Sequence, residues 1–536
     1  YTEPALLIRI IDILLPHYED RSDTESLLFL YICAGFSYME LSRTGEPTSR
    51  DKTIYFYTKV LSYRDQIEFF ESAASRDYIF IAYYNLIRVA PGLGILDIET
   101  AYRLWEELCQ IRTMPKFCQY DTTNPRIPQL CDCAINDFRA YGAVLNVERV
   151  IAPSAILSSL ENMTQIYYSE ILHEHGSIYE CPAFTVFNYH YVQARNGTIT
   201  WEAAWQILDD YYVHKMQTIG QVSSPDLLAF YTNLPLNLID VLGHTHFKEE
   251  FKQATYRRYR NLITSYLMNQ PASLNSYTLN NGVQLVAFHP LILGTFQNRM
   301  EKMNFIVDLV VTRHLTTFTH SVMVSYLAEA IGKHILAARP ELLRIPSSYL
   351  EGNVYASPAE VLDYIVPAAL FHDIGKNGMI PIINTQHRKL NDYEFNIIQT
   401  HPQKGSDYLS SDPDFLIYQP VALGHHRSYD GTRGYPLSFD NTASPYRDAI
   451  DLIHICDCLD AATDYLSRNY HRAKPFDVVL NELKAGRGTE YNPDMVDVIL
   501  SDRELYNDLK MLTEQNRENI YYDIYLTFVN LRKKRQ

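Results

Sequence analysis

No uninterrupted apolar run in this 536-residue chain reaches the ~20 residues of a membrane span, and no signal peptide opens it. Positive charge is also in short supply. The 47 Lys and Arg are outnumbered by 63 Asp and Glu, for a formal charge of −16. That balance argues against a nucleic-acid polymer or an anionic membrane as partner, while a small anionic substrate in a local basic pocket stays compatible with it. The eight cysteines (33, 109, 118, 131, 133, 181, 456 and 458) include no C-x-x-C pair, and the two Cys-Asp-Cys runs are too closely spaced for a zinc ribbon. They read as buried or free thiols of a reducing compartment. The expectation is a cytoplasmic protein, with a targeting or membrane segment before Tyr1 left open. No Ser-His-Asp or Cys-His set is evident, and no fixed repeat of about 34 residues emerges. Strand signals are few, the best being Ala183-Phe-Thr-Val-Phe187.

What is present is helix. The length exceeds that at which one core usually stops growing, so two or three domains are expected. Residues 1 to about 268 read as successive helices, including 52–72, 78–89, 99–112, 154–174, 200–217, 225–241 and 247–268. A capping box at Ser22–Glu25 precedes the second. Trp201–Tyr212 has the Ala and aromatic spacing of a tetratricopeptide-like unit, so the first half is either an irregular helical bundle or such an array. Residues 270–282, rich in Asn, Ser, Pro and Gly, form the best linker. The expected division is a helical regulatory domain at 1–280, a second helical domain at 281–503, and a helical tail at 504–536.

Beyond the linker, His, Asp and Gly motifs become dense. His320 lies in line with Val324, Leu327 and Ile331 on an apolar helical stripe. Ser357-Pro-Ala-Glu360 is a capping box starting a helix toward His372, and Asn391–Glu394 starts another that runs to His401. Ser444-Pro445 opens a third, in which Ile450, Ile453, His454 and Asp457 share one face. A carboxylate on a core face is costly unless paired or metal-bound. The adjacent His372-Asp373, followed by Gly375 and Lys376 after an apolar run, presents the same problem. Each such residue alone has a plain structural explanation. Together His320, His372, Asp373, His401, His425, His426 and Asp457 supply five imidazoles and two carboxylates. Nitrogen and oxygen donors without thiolates suit Fe, Mn or another transition metal, and this number suits two ions.

From about 300 to 500 the chain resembles the HD-GYP family of metal-dependent cyclic-dinucleotide phosphodiesterases. The resemblance is carried by His320-Ser321, by Ala368-Ala-Leu-Phe-His372-Asp373-Ile-Gly-Lys376, and by His401-Pro402 with Gly405. It continues through His425-His426-Arg-Ser-Tyr-Asp430-Gly431-Thr-Arg-Gly434-Tyr435-Pro436, Asp457-Cys-Leu-Asp460-Ala461, Arg468-Asn-Tyr470 and Gly488-Thr-Glu-Tyr-Asn-Pro493. It implies an all-α HD fold. His320, His372, Asp373 and Asp457 would hold one divalent ion, and His401, His425, His426 and a bridging Asp373 the other. The implied reaction is hydrolysis of a cyclic dinucleotide, foremost cyclic di-GMP, by in-line attack of a metal-bridging hydroxide. Asp373 and Lys376 would be catalytic. Lys376 would also contact the phosphate, and Arg427, Asp430, Gly434, Tyr435, Pro436 and Arg468 would contact substrate.

Several positions depart from the family pattern. Arg427 replaces the usual Glu, the run from Asp430 to Gly434 carries one extra residue, and Arg468-Asn-Tyr470-His471 lies two residues further from Asp457. Thr316 stands where some members place a Glu ligand for a third ion. These changes bear on substrate choice, so an HD phosphohydrolase acting on cyclic GMP-AMP or linear pGpG is the alternative, alongside a non-catalytic nucleotide receptor. A protein or ligand partner for the N-terminal helices and a homodimer complete the expectations.

Overall fold

The computed structural model describes residues 4–42, 48–70, 72–115, 126–145, 154–218, 225–270, 277–311, 313, 315–347, 355–379, 390–466 and 473–533. Among them there is no strand, only isolated bridges such as Arg427 to Gly434, so the all-α expectation holds. No helix among them is long and apolar enough to cross a membrane. Two compact units divide between Thr255 and Tyr256, inside the helix Glu249–Asn269. The linker expected at 270–282 is therefore corrected in part. Residues 271–276 lie outside the described residues, and 277–282 belong to the helix Tyr277–Ala287. Leu279, Val283, Val286 and Ala287 are buried at i, i+4, i+7 and i+8, and that apolar stripe overrides the turn-forming Asn and Gly between them.

In the first unit, helices from Pro4–Arg21 to Asn233–Gly243 pack chiefly on their neighbours in sequence. Their lengths are unequal, and the π-helical turn Asn85–Val89 interrupts the order, so they form no fixed repeat. The strand expected at Ala183–Phe187 is instead the first turns of the helix Ala183–Arg195. Tertiary burial decides this against β-propensity. Val186, Phe187 and Val192 are enclosed, and Asn188 and Arg195 donate to the carbonyls of Ala140 and Ala143. The helix Thr24–Ser42 is capped by Asp23, which accepts from the Ser26 N–H at 3.2 Å, and Ser22 takes a positive φ of 55° instead of capping.

The second unit is built around the helix Leu315–Ala338, which packs against Pro358–Phe371 and Arg447–Thr463. A Cβ on Gly332 would stand 2.5 Å from Ile365, so glycine permits the first of these approaches. The capping box at Ser357–Glu360 is complete, and so is that at Asn391–Glu394. The second helix stops at Ile398 instead of running to His401, and His401–Leu409 is a new helix. Pro402 explains the break: it has no N–H to donate to the Ile398 carbonyl four residues back, and its ring crowds that carbonyl. The helix bearing Asp457 starts at Arg447, just after Ser444-Pro445. The tail expected to stand apart at 504–536 instead joins this core. In the helix Arg517–Lys533, Ile520 and Ile524 pack with Val322 and Met323.

One buried carboxylate ties the Arg447–Thr463 helix to the next segment. Asp451 accepts from Asn492 Nδ2 at 3.0 Å, and burial pushes its carboxyl up to about 7. A folded value above the unfolded one means that ionisation opposes folding. Stability from this group is greatest near pH 4 and falls as pH rises toward 7. Asp451→Asn is expected to melt above the parent at pH 8, with the gain shrinking toward pH 4. Equal shifts at both pH values in thermal melts would contradict this.

Candidate metal centre

The helix Pro358–Phe371 ends at His372, and Asp373 leads into the 3-10 turn Ile374–Gly378. This turn touches the His401–Leu409 helix backbone to backbone. A Cβ on Gly375 would lie 2.0 Å from the His401 carbonyl oxygen and 2.6 Å from the Gly405 nitrogen. The two glycines face each other, and their missing side chains let Asp373 Oδ1 reach within 3.1 Å of His401 Nε2.

Seven donors converge as two groups. Asp373, His401, His425 and His426 form one, and His320, His372 and Asp457 the other, with the donor atoms of each group within 4.8 Å of one another. Asp373 faces both. Its Oδ1 is 3.1 Å from His401 Nε2 and 3.6 Å from His425 Nε2, while its Oδ2 is 3.5 Å from the Nε2 atoms of both His320 and His372. Asp457 places Oδ1 3.0 Å from His320 Nε2 and Oδ2 3.7 Å from His426 Nδ1. All seven are buried except His426, which is partly exposed. The structure thus brings together the seven residues that the sequence singles out, with Asp373 lying between the two groups.

The donor chemistry fits cations. His372, His401 and His425 direct Nδ1 at the carbonyls of Ala369, Ile398 and Ala422, at 2.6, 2.7 and 3.0 Å. His320 directs Nδ1 at Asp460 Oδ2, at 2.6 Å. An acceptor at Nδ1 calls for the N–H there, which leaves the Nε2 lone pair facing inward. The Nε2 atoms of His401 and His425 lie only 3.1 Å apart, and two lone pairs repel unless a positive centre is near. Nε2 of His372 and of His426 are buried without a hydrogen-bond partner, a costly state that metal ligation relieves.

Electrostatics favour the ligating forms. Burial pushes His425 down to about 4 and lowers His401; burial and neighbouring His425 hold His426 well below its ordinary range. Burial opposes ionisation of Asp373 and Asp457, but Lys376 and His372 outweigh it at Asp373, and His320 and His426 at Asp457. Both stay carboxylates. His320 differs: burial alone would lower it, yet Asp457 and Asp460 hold it up at about 9.

Around the cluster the sequence expectations fare unevenly. Lys376 Nζ donates to Asp373 Oδ2 at 2.5 Å, placing a cation at the partly exposed edge of the cluster. The Tyr435 ring lies 4.5 Å from that of His426, and Asp457 and Asp373 are near enough, with burial, to raise its phenol. Arg427, expected on substrate, is buried. It donates to the carbonyls of Gly431 and Gly434, so it holds the loop instead. Asp430 likewise turns inward on the loop, accepting from Ser428 and Thr432. Gly434 has φ +86°, and a Cβ there would overlap the His426 carbonyl oxygen at 1.8 Å, so the Gly434-Tyr435-Pro436 turn rests directly on the ligand pair. Arg468, expected on substrate, lies outside the described residues.

Three supporting residues escaped sequence reasoning. Asp460 stood in a quoted motif, three residues from Asp457, but no role was read for it. His454, also buried, directs Nδ1 at the His425 carbonyl at 2.6 Å. Arg517 had no local signal: Asp460 and Thr463, to whose side chains it donates, are more than 50 positions away.

Residues 317–469 match the family model described as HD domain. A cyclic di-GMP phosphodiesterase of Vibrio cholerae is 26% identical over 303 residues, covering 51% of this chain and 60% of that protein. The cyclic di-GMP phosphodiesterase response regulator RpfG of Xanthomonas campestris is 33% identical over 146 residues, covering 27% of this chain and 37% of its own length. A 3'3'-cGAMP-specific phosphodiesterase 2 of Vibrio cholerae is 25% identical over 203 residues, 37% of each chain. The chain thus spans 60% or less of the length of these relatives. It carries an HD domain, as the resemblance implied.

Proposed function

We propose that this HD-domain chain hydrolyses a cyclic dinucleotide, cyclic di-GMP in the first instance, using two divalent ions of Fe, Mn or another transition metal. One would be held by His320, His372, Asp373 and Asp457, and the other by Asp373, His401, His425 and His426. The observation that carries this reading is Asp373, whose two oxygens turn to two different histidine groups. Two bound ions supply charge for the phosphate and a water acidic enough to attack near neutral pH. Asp373 and Asp457 stay ionised, and His320, His372, His401 and His425 turn Nε2 inward because their Nδ1 atoms are tied to carbonyls or to Asp460. Lys376 is the cation beside Asp373 that would meet a phosphate oxygen. Tyr435 lies over His426 and would border the substrate. Substrate contacts by Arg468 belong to the same proposal.

A second reading differs only in the nucleotide. The longer loop from Arg427 to Tyr435, with Arg427 turned inward, supports cyclic GMP-AMP as an alternative substrate, and one relative is named for that activity. The N-terminal unit is assigned a regulatory role by analogy with sensor-plus-output chains, taking a protein or ligand partner. Metal analysis combined with a panel of cyclic di-GMP, 3'3'-cGAMP and linear pGpG tests the reading. About two ions per chain and fastest turnover of cyclic di-GMP are expected; fastest turnover of 3'3'-cGAMP would favour the second reading. Tight nucleotide binding with neither metal nor turnover would instead make the chain a receptor.

A further inference from the structure

His320 is held from behind by a buried chain of charge that ends on the last helix. Its Nδ1 meets Asp460 Oδ2 at 2.6 Å, and Asp460 Oδ1 accepts from Arg517 Nη1 at 2.7 Å. Arg517 also donates through Nη2 to Thr463 Oγ1 at 2.8 Å and through Nε to the Thr513 carbonyl at 3.0 Å. The side chains of Asp460 and Arg517 have no solvent exposure. Both Asp460 oxygens are thus occupied, one by the cation and one by the imidazole. The Arg517–Lys533 helix is fixed over this point by Ile520 and Ile524, which pack with Val322 and Met323, two and three residues beyond His320.

We propose that Arg517 is a positioning residue for the His320 half of the metal centre, making the C-terminal helix part of that centre. Arg517 fixes Asp460 in place. Asp460 then holds the His320 ring with Nε2 inward and increases its basicity toward a metal. A planar guanidinium suits this place, since its separate N–H groups reach Asp460, Thr463 and a carbonyl at once, which an ammonium on a flexible stem does not reproduce. The chain does not reach the other group through Nδ1: His401 and His425 direct theirs at carbonyls, and His426 Nδ1 faces Asp457 Oδ2 at 3.7 Å. The effect is therefore selective for one ion of two.

The proposal rests on the two-ion reading above, and its test separates the two. Metal-free full-length protein is titrated with Co2+, following visible absorption and bound stoichiometry, beside thermal melts. The parent is expected to bind two ions; a parent that binds none overturns the metal reading itself. Arg517→Met is expected to weaken one ion by roughly 10–100-fold and leave the other unchanged, the range seen when outer-shell partners of metal ligands are lost. Arg517→Lys should fall between the two. Because Arg517→Met takes the guanidinium from between the buried carboxylates of Asp460 and Asp464, the double variant Arg517→Met/Asp460→Asn, which also removes one of those negative charges, is expected to melt closer to the parent. It should nevertheless keep the one-ion defect. Parental affinity for both ions in the double variant, or equal weakening of both, would show a purely structural role and overturn the proposal.

Discussion

Purified Asp373→Ala protein is expected to lose bound metal and to drop in cyclic-dinucleotide turnover by at least ~10³-fold, the scale on which a cooperating catalytic set fails when one member is removed. Its Oδ1 lies 3.1 and 3.6 Å from His401 and His425 and its Oδ2 3.5 Å from His320 and His372, so its removal is expected to weaken both proposed ions at once. The helical fold should survive. His401, His425 and His426 are held toward the neutral form by burial, so deleting the carboxylate does not leave a cluster of buried imidazolium charges. Metal analysis, circular dichroism and product chromatography on one preparation check the three parts. Two ions retained with parental turnover would sink the metal assignment.

Gly375→Ala should be nearly as damaging, although it changes no ligand. The new methyl carbon would sit 2.0 Å from the His401 carbonyl oxygen, and its obstacle is backbone, which no rotamer change can move aside. The His-Asp turn and the His401 helix must separate, drawing Asp373 away from His401 and His425. Forced overpacking of this kind costs about 1–3 kcal/mol. A displacement on the order of 1 Å in a catalytic set lowers turnover by about 10²-fold. Gly332→Ala is the internal comparison. Its methyl would also be crowded, 2.5 Å from Ile365 Cδ1, but that atom is the mobile end of a side chain far along the helix from His320. If Gly375→Ala hydrolysed substrate as fast as Gly332→Ala at equal folded fraction, the backbone contact would have no bearing on the site.

Much of the second unit was legible in the chain because the signals are local. Capping boxes at Ser357 and Asn391 need only four residues to form, and both formed. Asp457 on the apolar face of its helix implied a partner before any partner was visible. Local signals misled where burial overrode them. Ala183–Phe187 carries strand-forming residues but is enclosed as helix, and the Asn-rich stretch before Gly282 is helical because Leu279, Val283 and Val286 are buried. Pro402 was in plain view, yet the expected helix ran up to His401 beside it, where the structure ends it at Ile398.

The sequence by itself determined the donor inventory, the all-α character and the pairing logic that makes a cluster of His and Asp uneconomic without cations. These follow from residue type and helical period, which act over a few positions. Tertiary structure alone decided which donor faces which, that Asp373 looks both ways, and that Arg427 is buried against the carbonyls of its own loop. It also decided that the glycine of the His-Asp turn is there for a backbone contact with His401, and that Arg517 reaches Asp460 from 57 residues away. Those facts depend on how helices distant in sequence approach, and the packing that brings them together is written in no single stretch of the chain.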